Sequence, residues 1–437
     1  MRSAGLLVPV LWIAMAWPAH AASLSEVLEM ARAADAQFAA ARAAAVAGRE
    51  KSVQGRAGLL PSVTVAGSAK NNHERGGTFG GVRNYDSGLI AINVNQPLYR
   101  KVNWETYEQG ELQALLADQQ LRLAEQELLL RVAKGYFEVL QAQDALSAVQ
   151  AQKEAFAQQL AQARRSFEVG LSPVTDVNEA QARYDLTLAQ EIASRNDIEL
   201  KRRALEKIID REAPPLKPVN EAASVDILPE ARLKELLERA GEGALQVAAS
   251  QTAERIARHE VGRQVGAQMP TVDLVASISE NRNGNFSSFG PSTTKATTVG
   301  VEVAMPLPFG QGQGAQSRVR EAQANLDRAG QELANAKRQA RLDARQAYLG
   351  VESGSALHRA LQKALESAQT QLKSTTRGFE VGVRTRVDVL NAQQQLFATR
   401  KDLAASRYQT LLAGLQLKAA AGTLADDDLK ALDALLK

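Results

Sequence analysis

The sequence predicts a mainly α-helical chain with a small β part, in which one long-helix hairpin unit occurs twice. Two segments, about 102–168 and 315–379, are long and repeat apolar residues at helical spacing without any proline. Segments within about 61–97 and 270–306 instead alternate apolar and polar residues, as β-strands do. Motifs of the first half also recur in the second half.

The internal repeat determines how the chain is divided. The motif Phe-Glu-Val-Gly at 167–170 recurs at 379–382, and other matches at a similar spacing accompany it. Such matches indicate a duplication. We therefore predict a first structural repeat over 22–228, which ends in a proline-rich spacer at 212–228, and a second over 229–437, which ends in a C-terminal tail.

The start of the chain has the features of a secretory signal peptide. Arg2 is followed by an apolar run at 6–17 and by the small-x-small sequence Ala-His-Ala at 19–21. The run is too short to span a bilayer, which takes about 20 apolar residues. We therefore predict a signal peptide over 1–21 and an exported mature protein, with no later apolar stretch that could anchor it.

Each repeat is predicted as a helix, two strands, a long helix, a tip and a returning helix. In the second strand, Ile92 and Val94 alternate with Asn93. An ordinary half-buried sheet shows the same alternation, but the isolation of four strands between long helices favours a membrane barrel. Since about 8 strands are needed to close such a barrel, three chains would supply twelve. The connections at 71–84 and 281–295 are the predicted outer loops.

The helical segments fall into two length classes. At 1.5 Å per residue each long segment would reach ~100 Å. Four others are about half as long, so that two of them, end to end, would run beside each long one. The half-length segments are 24–58, 173–210, 229–268 and 386–421.

The turns between the helices of each hairpin share their chemistry. Gly170 and Gly382 stand where a helix ends in a left-handed residue, and Ser172 is placed to cap the returning helix. An aspartate, Asp176 or Asp388, follows six residues after each glycine. These carboxylates are either functional residues or ordinary charges at a helix N-terminus, where an acidic side chain is favourable anyway.

These tips resemble those of the TolC family of outer-membrane channels. The segments 165–177 (RSFEVGLSPVTDV) and 381–392 (VGVRTRVDVLNA) are similar to the two tip motifs of that family. The duplicated layout extends the resemblance over nearly the whole mature chain. It implies a homotrimer with a twelve-stranded transmembrane β-barrel in the outer membrane of a Gram-negative bacterium, and a trimeric α-helical barrel in the periplasm.

The resemblance also implies a function, partners and functional residues. The expected function is a non-enzymatic exit duct of a tripartite efflux pump or type I secretion system. Its expected partners are outer-membrane lipid, a periplasmic adaptor and an inner-membrane transporter of the RND, ABC or MFS type. The periplasmic gate residues implied are Thr175, Asp176, Phe379 and Arg384; the entrance ring is Asp388 and Asn391; the adaptor-docking residues are Gly170, Leu171, Ser172, Gly382, Val383 and Arg384.

Two of these positions depart from the family pattern. Phe379 stands where better-known members have a tyrosine, so the hydroxyl link of that residue is missing here. Asn391 stands where they have a second acidic residue, which predicts a less negative entrance.

Other classes of function receive little support. The 52 basic and 49 acidic residues nearly balance, which argues against nucleic-acid binding. The histidines lack metal-ligand spacing and no catalytic triad is visible, so we expect no metal, cofactor or catalytic residue. The alternative is a periplasmic coiled-coil adaptor or scaffold, which would carry a single hairpin between β-rich domains. The sequence leaves open the exported substrate, the transporter and the resting state of the gate.

Overall fold

The computed structural model describes residues 21–75, 82–220, 230–287, 290–306 and 312–436. The predicted signal peptide up to residue 20, and the spacer beyond residue 220, lie outside these ranges. Within them, two helices, two strands and two further helices follow one another, and the same order then recurs before a short last helix.

The elements of the first half come first in the chain. They are α1 (Leu24–Ala34), α2 (Ala36–Ala57), β1 (Ser62–Arg75), β2 (Val82–Tyr99), α3 (Lys101–Glu168) and α4 (Val174–Ile209). The elements of the second half are α5 (Glu230–Gly243), α6 (Leu245–Gly266), β3 (Thr271–Ser287), β4 (Gly290–Ala304), α7 (Gly312–Glu380), α8 (Arg386–Ala420) and α9 (Asp426–Asp433).

The two long helices are the length that their periodicity predicts. Helix α3 has 68 residues and α7 has 69, so each extends about 100 Å. Helices α2 and α4 pack along α3, while α6 and α8 pack along α7. The predicted pairing of two half-length helices with each long helix is therefore confirmed.

Two of the predicted half-length helices are interrupted, which the sequence analysis missed. The segment 24–58 breaks at Asp35, whose extended backbone separates α1 from α2 and whose carboxylate accepts a hydrogen bond from the Phe38 backbone N–H at 2.6 Å. Arg131 of α3 lies 3.1 Å from the same carboxylate. The segment 229–268 breaks at Ala244, which is also extended. A tertiary ion pair thus supports the first break, and helical periodicity does not reveal it.

The four strands form one antiparallel sheet in the order β1-β2-β3-β4. Its register brings the apolar residues of neighbouring strands opposite one another, for example Ile92 with Ile278 and Leu274 with Val301. Polar residues pair on the other face. Val301 is 61% exposed, because no part of the described chain covers the apolar face. The sheet has the two-faced pattern of a barrel wall.

The predicted loops at 71–84 and 281–295 are wrong in extent, because the strands continue through most of these residues. Strand β1 runs to Arg75 and β3 runs to Ser287. Polar contacts stabilise the extensions: the Asn71 side-chain amide donates to the Asp86 carboxylate at 2.8 Å. Glu280 pairs across the strands with Lys295 at 3.5 Å. The strands have 14 to 18 residues, more than the ~9–11 that cross a bilayer.

The main apolar cluster lies at mid-height of the helices, away from both the sheet and the tips. Tyr136, Phe137 and Leu140 of α3 pack there with residues of α1, α4, α8 and α9. The buried Tyr136 hydroxyl donates to the backbone carbonyl of Lys217 at 2.9 Å, and burial raises the pKa of Tyr136. The Tyr408 hydroxyl donates to the Asp144 carboxylate at 2.6 Å, which links the two hairpins at this level.

No helix in the described ranges contains a stretch apolar enough to span a membrane.

We expect the apolar face of the sheet to contact lipid. Val301→Arg should therefore weaken barrel assembly by ~2–4 kcal/mol, the cost of an arginine at the bilayer midplane. Thr298→Arg is the matched control, because Thr298 lies on the same strand and points to the opposite face. Urea titration of barrels folded in lipid vesicles measures the difference. Equal stability of the two variants would contradict the assignment of the lipid face.

Candidate functional site

The hairpin tips are built around two glycines in the left-handed conformation. Gly170 has φ +75° and Gly382 has φ +82°. Each turn closes with a backbone hydrogen bond of 2.8 Å, from Leu171 to Ser166 and from Val383 to Gly378. A Cβ at either glycine would meet nothing within 4 Å. The requirement for glycine is therefore conformational and not steric.

The tips expose large apolar side chains. Leu171 is 82% exposed in the first tip, and Val383 is 76% exposed in the second. Val169 and Val381 occupy equivalent places one residue before each glycine, and both are exposed. Exposed apolar residues grouped at the end of a long hairpin are typical of a protein contact surface.

The predicted gate residues of the first tip differ in their surroundings. Thr175 is exposed, whereas Asp176 is half-buried at the start of α4. The Asp176 carboxylate accepts a hydrogen bond from Arg386 Nε at 3.4 Å. Within one chain, Asp176 is therefore joined to Arg386 and not to the exposed Arg384, two residues earlier. The Ser172 hydroxyl is buried and has no partner in the part of the chain that the structure describes.

Arg386 is a residue of the tip that the sequence analysis did not identify. It is only 4% exposed, and its guanidinium carbon lies 4.8 Å from the centre of the Phe379 ring. That distance is within the range of a cation–π contact. The one available signal was an arginine at the first position of a helix, where a positive charge is electrostatically unfavourable.

Asp388 has a structural role in addition to its predicted place in the entrance ring. Its carboxylate accepts hydrogen bonds of 2.9 Å from both the backbone N–H and the hydroxyl of Thr385, and Thr385 in turn caps the start of α8. These two bonds, together with the charge of Arg384, lower the pKa of Asp388. The carboxylate therefore stays ionised at neutral pH and stabilises the first turn of α8.

Asn391 contacts a cation from the other hairpin. Arg183 of α4 donates to the Asn391 side-chain oxygen at 3.2 Å and to the Gln394 side-chain oxygen at 2.6 Å. The Nε of Arg183 donates a hydrogen bond to the Glu179 carboxylate at 3.0 Å. Arg183 was also absent from the sequence analysis, since it lies outside both tip motifs. The pairing places a positive charge beside the predicted ring position that lacks a carboxylate.

Four of the predicted residues of the second tip line one groove, and no residue of the first tip lines it. The groove runs between α7 and α8 and has a volume of about 900 Å³. Val383, Arg384, Asp388 and Asn391 line it, together with small residues of α7. Phe379 and Asp176 lie outside its lining and meet at Arg386 instead.

Known proteins match both the sequence and the fold of this chain. The family model for outer membrane efflux proteins matches residues 27–210 and 236–423. The chain belongs to the outer membrane efflux protein family. This confirms the predicted family, and it excludes the alternative of a periplasmic adaptor.

Individual relatives agree with the family match. The chain is 32% identical to outer membrane protein TolC of Vibrio cholerae, over 95% of this chain and 94% of that protein. It is 31% identical to the protease secretion protein PrtF of Dickeya chrysanthemi, over 99% and 95% of the two chains. The solved structure of outer membrane protein VceC from Vibrio cholerae superposes with a TM-score of 0.78 at 18% identity, covering 91% and 96%.

These findings determine the class of the protein. It is an outer-membrane export channel that extends into the periplasm, and it is not an enzyme. Its fold is that of channels with a helical barrel below a β-barrel. Channels of this kind work with adaptors and inner-membrane transporters.

The capping of α8 generates a test of tip stability. Thr385→Ala removes the N-cap, and loss of ~1 kcal/mol of capping should make the first-turn amides of α8 exchange roughly fivefold faster. Thr376→Ala is the matched control, because the Thr376 hydroxyl only bonds back to the Leu372 carbonyl within α7. Hydrogen–deuterium exchange of tip peptides measures both. Unchanged exchange in Thr385→Ala would contradict the capping role.

The pH dependence of the same turn follows from the lowered pKa of Asp388. A carboxylate with a lowered pKa stabilises the folded tip at neutral pH, and this contribution is lost as the pH falls through that pKa. Protection of the α8 first turn should therefore decrease on acidification in the natural protein. The Thr385→Ala variant should respond less, because the hydroxyl that favours the ionised form is gone. An identical pH response would show that the ionisation of Asp388 does not depend on the Thr385 hydroxyl.

Proposed function

We propose that three copies of this chain form one continuous export duct. The observation that supports this most directly is the sheet, whose apolar face is exposed and whose edge strands β1 and β4 each lack a second partner strand within the described chain. Strand β1 has 14 residues and β4 has 15, so the edges are of matching length. With an even number of strands, β4 of one copy pairs antiparallel with β1 of the next. Three copies then close a barrel of twelve strands without any free edge.

The periplasmic entrance of this duct is proposed to lie at the hairpin tips. The gate would consist of Thr175, Asp176, Phe379 and Arg384, and Asp388 and Asn391 would form the entrance ring. Arg384 is exposed within one chain, which leaves it available to the Asp176 of a neighbouring copy. Because Arg183 lies beside Asn391, we expect the entrance to bind cations weakly.

The tips are also the proposed docking surface for the adaptor. They combine two glycine turns with the exposed apolar residues Leu171 and Val383, next to the charged Arg384. Ser172, which is partly exposed, completes the surface on the first tip. An adaptor bound here would connect the duct to an inner-membrane transporter of the RND, ABC or MFS type, as an efflux pump or a type I secretion system.

The proposed function is tested with the purified protein. It should migrate as a heat-modifiable trimer and should form ion-conducting pores in planar lipid bilayers. A protein that stays monomeric in lipid, or that forms no pores, would contradict the proposal.

The docking role of the tips is tested at Gly382. Gly382→Val should abolish export while trimers remain in the membrane, because a β-branched residue in the left-handed conformation costs at least ~1–2 kcal/mol. Gly382→Asn is the matched control, because asparagine adopts this conformation more readily. Export is measured in cells that carry the cognate adaptor and transporter. Normal export by Gly382→Val would argue against docking through this turn.

A further inference from the structure

Arg386 is buried at a place where its neighbours are exposed. Thr385 and Val387, on either side of it, are both accessible to solvent, yet Arg386 is 4% exposed. Arginine is almost never buried to this degree unless it is paired. Its partners therefore identify what the residue does.

Those partners come from both hairpins. The Phe379 ring, at the end of α7, lies under the guanidinium at 4.8 Å, and Asp176 of α4 lies at 3.4 Å from Nε. The second distance is long for a charge-assisted hydrogen bond, which is usually about 2.7–2.9 Å. In addition, Nη1 of Arg386 is buried and has no partner in the described chain. The guanidinium therefore contacts the Phe379 ring and donates one long hydrogen bond to Asp176, while its Nη1 donates none in the described chain.

The position within α8 does not favour a positive charge. Arg386 is the first residue of the helix, directly after the N-cap Thr385, and the exposed N–H groups there repel a cation. An uncharged side chain would suit the isolated helix better. The contacts with Phe379 and Asp176 must therefore compensate for the unfavourable position, and Arg386 is stable only while these contacts are intact.

Few hydrogen bonds in the described chain join the two hairpins near their tips. The apolar cluster described at this level consists of Leu160, Ala163 and Ala180 with two neighbours, all of them from α3 and α4. Besides the bond from Arg386 to Asp176, the hydrogen bonds between α4 and α8 in the described chain are those from Arg183 to Asn391 and Gln394. Polar links of this kind exchange for water more readily than an apolar interface does.

We propose that Arg386, held between the Phe379 ring and the Asp176 carboxylate, is the latch that joins the two hairpins of one subunit at the entrance. This inference rests on the proposed function, because a latch has meaning only if the tips form the entrance of a duct. Phe379 has no hydroxyl to offer Asp176, but its ring supports the arginine that binds Asp176 instead. Release of Arg386 would let α7 and α8 move away from α4 as a unit, while the cluster at mid-height stays packed.

The test replaces Arg386 by methionine, which is unbranched and keeps most of the apolar contact. Arg386→Met should raise the probability of the open state, measured as mean conductance in planar bilayers, roughly fivefold, which corresponds to losing ~1 kcal/mol. Arg377→Met is the matched control: Arg377 is an exposed arginine near the end of α7 and should leave conductance unchanged. Trimer content on unheated gels verifies that each variant assembles.

Two further variants separate the latch from a general effect on folding. Phe379→Leu removes the ring but keeps an apolar side chain, and it should also raise conductance. Combined with Arg386→Met it should add less than the sum of the two single effects, because both remove the same contact. Arg386→Lys keeps the charge without the planar guanidinium and should give an intermediate conductance. If Arg386→Met does not assemble, Phe379→Leu and Arg386→Lys still decide the question.

The outcomes distinguish the latch from the proposed function. If the natural protein forms no pores, the proposed function fails and the latch fails with it. If the natural protein forms pores and Arg386→Met conducts like Arg377→Met, the latch is wrong while the duct stands. Additive effects of Phe379→Leu and Arg386→Met would also overturn it, since the two residues would then act independently.

Discussion

The exposed apolar face of the four-stranded sheet is the constraint on which the rest of the structure depends. Residues such as Val65, Ile278 and Val301 have no cover within the described chain, and β1 and β4 each have one edge without a partner strand there. In water such a sheet would aggregate, because both its face and its edges are open to other chains. In a bilayer, lipid would cover the apolar face. The free backbone N–H and C=O groups of the edge strands would find partners only if the sheet closed with further copies of the chain.

The helices extend far beyond the sheet without a thick apolar core. Helix α3 leaves β2 almost directly, with Tyr99 the last strand residue and Lys101 the first of the helix. The main apolar cluster of the helices lies around Tyr136 and Tyr408 at mid-height. Helices α1 and α9 reinforce this level, since the Asp433 carboxylate of α9 accepts a hydrogen bond from the backbone N–H of Leu24 at 2.8 Å.

Periodicity predicted the features of this chain that repeat over many residues, and it failed where a single contact decides. The alternation around Ile92 and the long stripe of α3 specified strands and helices correctly. The break at Asp35 depends instead on a carboxylate that caps α2 and pairs with Arg131, 96 positions away. Likewise, neither periodicity nor the family resemblance predicted that Arg386 is buried against Phe379. Such contacts are properties of the folded chain and leave no pattern in the local sequence.

If the tips form the entrance of the duct, as proposed, the distance between the main cluster and the tips explains how weak polar links would control it. Tyr136 precedes Gly170 by 34 residues, which corresponds to about 50 Å of helix. Over that length a small rotation at mid-height becomes a large displacement at the tip, and the energy needed is mainly that of the contacts at the tip itself. A tightly packed apolar interface there would hold the entrance in one state. Under this proposal, links through Arg386 and Arg183, which water or a bound protein can replace, would allow two states without unfolding either hairpin.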